Sequence, residues 1–301
     1  MEESDWSSDV CSSDLPGPFG PSSLGRPCPA DGLMRFDILT LFPEYFEAAR
    51  LGITGRAFRE LGHGLHTHSY RPFAGNTFGH VDDAPFGGGP GMVLRPEVLQ
   101  AALDSLPRLE PRRVIHFTPA APPLTHAKVL ELATQAQVVL VCTRYEGLDQ
   151  RAVEALVNEE FSLGEAVLSG GELPALCLID AVCRWLPGVL GNAESAEQDS
   201  FATGLLDHPH YTRPEIWADR PVPEVLRGGN HEAVRLWRLR EAMARTRRLR
   251  PDLWTRFLQE RLPALPRPDQ WVAWQVEHPE TWDQPKPKGW KGWPTAHREQ
   301  P

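Results

Sequence analysis

The feature that most constrains the fold is an alternation of short apolar strands with single helices, which begins at Met34. The predicted strands, rich in β-branched and aromatic residues, are 35–42, 113–118, 137–142 and 161–168. Apolar residues at helical spacing predict helices over 125–136, 149–157 and 172–186. Strands joined by single helices form a parallel sheet, so the pattern predicts an α/β domain.

The segments on either side of this pattern differ in composition. Residues 1–33 are rich in Ser, Pro, Gly and Asp, and the run DWSSDVCSSDL resembles a translated sequencing adaptor, which makes Met34 the expected natural start. We predict the α/β domain over 34–190, a polar linker over 191–203 and a small helical domain over 204–262. Its basic helix is expected to begin after an N-cap at Asn230. Residues 263–301, dominated by Pro and Trp, are expected to be a tail that is flexible or draped on the surface.

Composition indicates a globular protein without a membrane span. Hydrophobic residues make up 41% of the 301 residues and charged residues 24%, and no stretch of about 18 apolar residues occurs. The five cysteines form no CxxC pair or regular framework, and Cys142, Cys177 and Cys183 look like buried thiols. We therefore expect a reducing cytoplasm rather than a disulfide scaffold.

Charge is distributed unevenly. The net charge of −9 argues against indiscriminate binding to nucleic acid, yet residues 211–250 hold ten Arg against five Asp or Glu. Attraction to phosphates is local, so a basic lobe on an acidic body suits selective RNA contact. A solvated helix face is an equally good interpretation of the charge alone.

Three glycine-bearing loops are candidates for a ligand site. They read VDDAPFGGGPGM (81–92), CTRYEGLDQR (142–151) and LSGGELPAL (168–176), and the last two follow predicted strands, where open α/β sheets bind ligands. None matches a dinucleotide or phosphate-binding fingerprint. Each alone is ordinary turn chemistry, but three in one sheet favour a ligand site. The histidines 63, 66 and 68 lack further ligands at metal spacing, so we expect surface residues there and no metal site.

Longer motifs carry a resemblance. The runs VDDAPFGGGPGM, VCTRYEGLDQR, FSLGEAVLSGGELPALCLIDAVCRWLPGVLG and DSFATGLLDHPHYTRPE resemble the bacterial tRNA (guanine-N1)-methyltransferase family of the SPOUT class, from Met34 to about Leu253. The resemblance implies a trefoil-knotted domain, a homodimer with a site between subunits, S-adenosylmethionine as methyl donor and guanosine 37 of tRNA as acceptor. It implies a cytoplasmic enzyme, and it leaves a role for Mg²⁺ open.

The resemblance also implies a cofactor site in the loops after three strands. The residues it implicates are Thr118, Pro119, Thr143, Tyr145, Glu146, Gly147, Leu163, Gly164, Glu165, Ala166, Val167, Leu168, Gly170, Gly171 and Pro174. Glu146 would balance the sulfonium charge or bind a ribose hydroxyl, unless it is simply a solvated carboxylate. Thr143, Ala120 and Ala166 depart from the family's usual Gly, Gln-Gly and Tyr, which puts single cofactor contacts in doubt.

Two residues match the family's catalytic positions. N1 of guanine must lose a proton, and Asp199 occupies the position of the proposed base, although in isolation Asp-Ser is also a serviceable helix N-cap. Arg184 matches an essential arginine that would offset charge growing on O6. An ion pair with Asp180 on the same helix is the structural alternative for Arg184.

The residues implied for substrate contact are less sharply marked. They are Gly89, Gly91, Ser195, His210, Tyr211 and Arg213. Arginines 235, 238, 245 and 248 would follow phosphates of the anticodon stem.

Two other functions compete. A knotted methyltransferase for a ribose hydroxyl or another base would not need the run DSFATGLLDHPHYTRP. An RNA-binding protein with a degenerate cofactor pocket fits the three departures, but it would not need the base Asp199 and the cation Arg184.

Overall fold

The computed structural model describes residues 32–75, 77–191 and 194–293, without the side chains of Glu194 and Ser195. The predicted extension over 1–33 therefore lies almost wholly outside the described residues. Contacts divide the chain into two compact units, one ending at Glu197 and one beginning at Gln198. We refer to their described parts as the sheet unit (32–197) and the helical unit (198–293), and we describe each by itself.

The sheet unit contains the predicted parallel sheet. Its strands are β1 (Arg35–Thr40), β2 (Gly64–Ser69), β5 (Arg112–Phe117), β6 (Gln137–Val141) and β7 (Glu159–Phe161). All neighbours pair in parallel, in the order β2-β1-β6-β5-β7. Two short strands, β3 (Asp82–Asp83) and β4 (Val93–Leu94), form a separate antiparallel pair. The α/β class expected from the sequence is confirmed.

Helices connect these strands and follow the last of them. They are α1 (Gly52–Arg59), α2 (Pro96–Asp104), α3 (His126–Leu132), α4 (Gln150–Leu156), α5 (Glu172–Cys183) and α6 (Glu194–Gln198), with 3-10 helices at Pro43–Arg50 and Arg71–Phe73. Pro43 stands at the first turn of its helix, where a missing N–H costs nothing. Thr125 and Asp149 cap α3 and α4 by accepting main-chain N–H groups.

The sheet has an apolar core on both faces. Val138 and Leu140 of β6 pack in one cluster with α5, whereas Val139 and Val141 pack in another with α2 and α4. Successive side chains of a strand point to opposite faces, so a strand buried on both sides must be apolar throughout. This explains why the four residues VVLV after Gln137 form an uninterrupted apolar run in β6.

One carboxylate lies fully buried at the start of the sheet. Asp37 receives hydrogen bonds from Arg35 (2.7 Å), Gln137 (2.6 Å) and the His68 ring (2.8 Å). Burial alone would raise the pKa of Asp37, but these hydrogen bonds outweigh it and hold the pKa well below its usual range. His68 is thus a structural partner of a buried charge.

Three expectations in this unit are wrong. The strand predicted over 161–168 ends at Phe161, and residues 163–169 are largely exposed. Cys177 is exposed because it lies on the outer face of α5, while Cys142 and Cys183 are buried as expected. His63 is buried, and its Nδ1 accepts the main-chain N–H of Met34 at 3.0 Å, so it is not a surface residue.

The helical unit has its own core. It contains α7 (His231–Leu249), α8 (Pro251–Glu260) and α9 (Arg267–Glu277), a hairpin of β8 (Ile216–Trp217) and β9 (Arg220–Pro221), and 3-10 helices at Glu224–Leu226, Leu262–Ala264 and Pro279–Thr281. Asn230 caps α7 as predicted, its side chain accepting the N–H of Ala233 at 3.1 Å. Leu239, Met243 and Phe257 are buried in this core.

The described part of the tail from residue 263, expected to be flexible or draped on the surface, instead packs into the core of the helical unit. Helix α9 buries Trp271, Val272 and Val276, and its Asp269 pairs with Arg235 of α7. Tryptophan buries a large apolar area, and Pro266 and Pro268 stand at the helix start, where proline is tolerated. The Pro- and Trp-rich composition therefore belongs to a packed helix.

Among the described residues, no helix is both long and apolar enough to span a lipid bilayer.

Candidate active site

The loops that follow β5, β6 and β7 are joined at the carboxyl edge of the sheet. The N–H of Thr118 donates to the carbonyl of Phe161 (3.1 Å), the N–H of Leu124 donates to the carbonyl of Ser162 (2.9 Å), and the N–H of Ser162 donates to the carbonyl of Pro122 (2.9 Å). The N–H of Gly171 donates to the carbonyl of Thr143 at 3.0 Å. The structure therefore brings the three predicted cofactor loops together, as expected for the edge where open α/β sheets bind ligands.

The second loop is also tied to the glycine-rich segment before β4. The N–H of Glu146 donates to Met92 at 3.1 Å, and that of Leu94 to Gly147 at 2.9 Å. A Cβ atom added to Gly91 would lie 2.5 Å from Cγ of Glu146, so the two chains approach closely. The loop with Gly89 and Gly91, which the resemblance implies for substrate contact, and the predicted cofactor loop are thus neighbours. Tyr145 between them has a positive φ of 56°, a conformation that non-glycine residues seldom adopt.

The third loop presents apolar side chains to solvent. Val167 is 84% exposed, and Leu163 and Leu168 are 44% and 40% exposed. Gly164, Glu165 and Ala166 lie between them, while Pro174 is buried in α5. Exposed apolar carbon of this kind is suited to a flat heterocycle such as adenine.

A buried carboxylate, which the sequence analysis did not single out, supports the second and third loops. Glu172 is 1% exposed, and it accepts the hydroxyl of Thr40 at 2.8 Å. Its other oxygen lies 3.1 Å from Nε of Arg144, whose guanidinium stacks 4.5 Å above the ring of Phe42. Arg144 and Glu172 are 28 positions apart in sequence, so the sequence did not predict their contact. Each lies in one of the motifs RYEG and GELP.

A second buried network involves Thr143 itself. Its hydroxyl lies 3.0 Å from Nε2 of His116, and Nδ1 of that ring lies 2.7 Å from Glu160. Burial lowers the pKa of His116, and the nearby Glu160 opposes this shift. Thr143, where the resembled family usually has glycine, therefore has a specific hydrogen-bond partner in His116.

The proposed catalytic pair lies in two different units. Arg184 is half-buried at the C-terminal end of α5, and the nearby Asp180 accepts a hydrogen bond from the hydroxyl of Thr54. Asp199 is half-buried and directly follows α6. The residues after it form turns up to Gly204, so Asp199 does not cap a following helix. The side chain of Ser195, predicted to contact substrate, lies outside the described residues.

In the helical unit, one carboxylate organises the predicted RNA loop. Asp207 lies 2.6 Å from Nδ1 of His208 and 2.8 Å from Nε2 of His210. Burial raises the pKa of Asp207, but hydrogen bonds from the two histidines outweigh it and lower the pKa overall. Their ligand atoms lie within 4.8 Å of one another, a spacing that a divalent metal could also use. The hydrogen bonds already account for the arrangement.

The side chains following this cluster are open to solvent. Tyr211 is 49% exposed with its ring 6.1 Å from that of Trp237, and Arg213 is exposed. The structure therefore places His210, Tyr211 and Arg213 together on one exposed segment.

The basic helix α7 carries arginines of two kinds. Arg238, Arg245 and Arg248 are exposed. Arg235 instead lies 2.7 Å from the fully buried Asp269 and 2.8 Å from Glu232. The expectation that Arg235 follows phosphates is thus weakened, because its guanidinium already neutralises a buried charge.

Comparison with known proteins gives consistent matches. A family model described as tRNA (Guanine-1)-methyltransferase TrmD matches residues 34–256. A protein named tRNA (guanine-N(1)-)-methyltransferase from Dechloromonas aromatica (strain RCB) is 53% identical over 229 residues, which covers 73% of this chain and 90% of the relative. Relatives of the same name from Aromatoleum aromaticum (strain DSM 19018 / LMG 30748 / EbN1) and Burkholderia mallei (strain SAVP1) are 50% and 48% identical, covering 73% and 80% of this chain and 86% and 93% of the relatives.

Proposed function

The chain belongs to the tRNA (guanine-N1)-methyltransferase family, and we propose that it transfers a methyl group from S-adenosylmethionine to N1 of guanosine 37 in tRNA. The observation that carries the proposal is the junction of the three strand-end loops with the glycine-rich loop before β4. A donor pocket and an acceptor pocket must adjoin for a methyl group to pass between them.

The residues of the sheet unit fit the donor. Thr118, Thr143 and the loop from Leu163 to Gly171 would hold S-adenosylmethionine, with adenine against Leu163 and Leu168. A Cβ atom on Gly171 would lie 2.8 Å from Cα of Cys142, so this loop needs a glycine to approach the strand end. S-adenosylmethionine supplies an electrophilic methyl group on a sulfonium sulfur.

In the proposed mechanism, Asp199 and Arg184 act on the guanine. The Asp199 carboxylate would take the N1 proton while the N1 electron pair forms the new bond to the methyl carbon, whose bond to sulfur breaks and leaves its electron pair on the sulfur. Negative charge that grows on O6 is offset by the guanidinium of Arg184. Gly89 and Gly91 border the base, and Glu146 faces it from the neighbouring loop. Measuring methylation with and without added Mg²⁺ would test whether the metal takes part.

We propose that the active enzyme is a cytoplasmic homodimer with a trefoil knot in the sheet unit. Asp199 then serves a donor pocket built by the other subunit. Exposed apolar side chains of the sheet unit, among them Phe42, Tyr45 and Leu173, support an interface of this kind. The boundaries 34–190, 191–203 and 204–262 follow the same proposal, with α9 added to the helical domain.

The helical unit would bind the tRNA. His210 and Tyr211 offer rings on which a splayed nucleotide can stack, and Arg213 offers a fork for phosphate. Arg238, Arg245 and Arg248 of α7 would follow the anticodon stem. The exposure of all six side chains supports this assignment.

A methylation assay tests the proposal. The full chain is incubated with labelled S-adenosylmethionine and with tRNA transcripts that carry G or A at position 37. We expect label only in the G37 transcript, and its loss in Asp199→Asn but not in the exposed control Asp104→Asn. Label that does not depend on G37 would indicate another acceptor, and RNA binding without any label would favour a degenerate binding protein.

A further inference from the structure

The residues His116, Thr143 and Glu160 form a chain of hydrogen bonds beneath the loop after β6. His116 is 3% exposed and Thr143 is 7% exposed. Nδ1 of the imidazole lies 2.7 Å from Oε1 of Glu160, and Nε2 lies 3.0 Å from Oγ1 of Thr143. These residues come from β5, β7 and the loop after β6, which are neighbours in the sheet.

The chemistry of the groups fixes the direction of both hydrogen bonds. An ionised carboxylate only accepts, so Nδ1 of His116 carries the proton and donates to Glu160. Burial keeps the imidazole neutral by lowering its pKa, so Nε2 is an acceptor. The hydroxyl of Thr143 therefore donates to Nε2, and the threonine is held in one side-chain rotamer.

That rotamer matters because Thr143 lies where two loops meet. Its carbonyl accepts the N–H of Gly171 at 3.0 Å, so its main chain is fixed by the third loop. With the main chain fixed, the side chain can change only by rotation about χ1, which has three staggered positions. Rotation away from His116 would break this hydrogen bond and turn the hydroxyl and methyl groups in other directions, and Thr143 lines a small cavity together with Cys142, Arg144 and Tyr145.

We propose that His116, oriented by Glu160, is a positioning residue that holds the side chain of Thr143 beneath the second loop and so keeps the adjoining pocket open for S-adenosylmethionine. This inference rests on the proposed function, since it takes the loop to be part of the donor site. It also explains how a side chain is tolerated at a position where the resembled family usually has glycine.

The test measures how His116→Phe changes the Kd for S-adenosylmethionine, by calorimetry on the full chain, in three backgrounds. Phenylalanine fills the buried space but forms neither hydrogen bond. In the native and Thr143→Ser backgrounds, where a hydroxyl is present, we expect binding to weaken about threefold to tenfold. In the Thr143→Gly background, no side chain remains to be held, and we expect less than a twofold change.

An equal loss in all three backgrounds would overturn the proposal, because His116 would then act through general packing. No loss in any background would also overturn it. A native chain that does not bind S-adenosylmethionine at all would instead refute the proposed function, and this inference with it.

A second measurement is independent of the cofactor. Nitrogen NMR of the His116 ring, assigned from its absence in His116→Phe, should show Nδ1 protonated and Nε2 unprotonated at neutral pH. A ring protonated at Nε2 would contradict the hydrogen-bond direction on which the proposal depends, whatever the binding data show.

Discussion

In the sheet unit the candidate loops are held by main-chain hydrogen bonds, and the polar side chains beneath them are buried, as with Glu172 and His116. In the helical unit the candidate side chains, such as Tyr211 and Arg238, are exposed on one loop and one helix. A small cofactor is recognised by preformed backbone geometry, whereas RNA is attracted by exposed charge and aromatic rings. Substitutions should therefore act through shape in the first unit and through charge in the second.

The largest effect is expected on the methylation rate when Asp199, which belongs to the helical unit, is replaced. Asp199→Asn removes the group that accepts the N1 proton, so single-turnover methylation should slow about 10²- to 10⁴-fold. Binding of tRNA, measured by filter retention, should change far less. A rate within threefold of the native chain would show that the proton leaves by another route.

Arg235 and Arg238 lie on the same helix, α7, and we expect a structural role for Arg235 and an RNA-binding role for Arg238. Arg235→Ala would leave Asp269 buried and unpaired, which should lower the free energy of unfolding by about 3–5 kcal/mol. Arg238 is exposed, so Arg238→Ala should lower it by less than about 0.5 kcal/mol. Urea unfolding of both variants makes the comparison, and equal stabilities would refute the structural role of Arg235.

Alanine substitutions at Gly91 and Gly88 distinguish a steric clash with Glu146 from backbone strain alone. Both have a positive φ, 87° and 76°, so alanine costs each about 1–2 kcal/mol. Only at Gly91 would the new Cβ meet Glu146. Displacement of that side chain should lower kcat/KM for tRNA roughly tenfold further in Gly91→Ala than in Gly88→Ala. Equal losses would mean that Glu146 does not face the base.

The smallest effect concerns the salt dependence of RNA binding. If Arg238 contacts a phosphate, Arg238→Ala should reduce the slope of log K against log salt by about 1. Arg108→Ala, which removes an exposed cation of the sheet unit that is not among the proposed RNA contacts, serves as the control. An unchanged slope in Arg238→Ala would remove this arginine from the RNA surface.

The two units also differ in how far the sequence predicted them. Strands β1, β5 and β6 were predictable because burial on both faces demands apolar runs, as in VVLV of β6. Strand β2 was not predicted, because it lies at the edge of the sheet and reads GLHTHS, and the two-residue strands β3 and β4 were not predicted either. The strand predicted over 161–168 was wrong, because its apolar residues lie in an exposed loop. In the helical unit, Asn230 marked the start of α7, but α9 was missed because its sequence shows little helical periodicity: its buried residues include the consecutive run Trp271, Val272 and Ala273.

The candidate site divides in a similar way. Glycines at strand ends and the resemblance together indicated the loops, which the structure joins. The supporting pairs were not predictable, because Arg144 with Glu172 and His116 with Thr143 are far apart in sequence and meet only through the sheet order. Asp207 was also missed, although the run DHPH placed it beside two histidines.

The most direct test of the central claim is to identify the product. A G37 tRNA transcript is incubated with the full chain and S-adenosylmethionine, digested to nucleosides and examined by mass spectrometry against a 1-methylguanosine standard. We predict one 1-methylguanosine per tRNA, mapped to position 37, and almost none with Asp199→Asn. A methyl group on a ribose, on another atom of guanine or at another position would contradict the account.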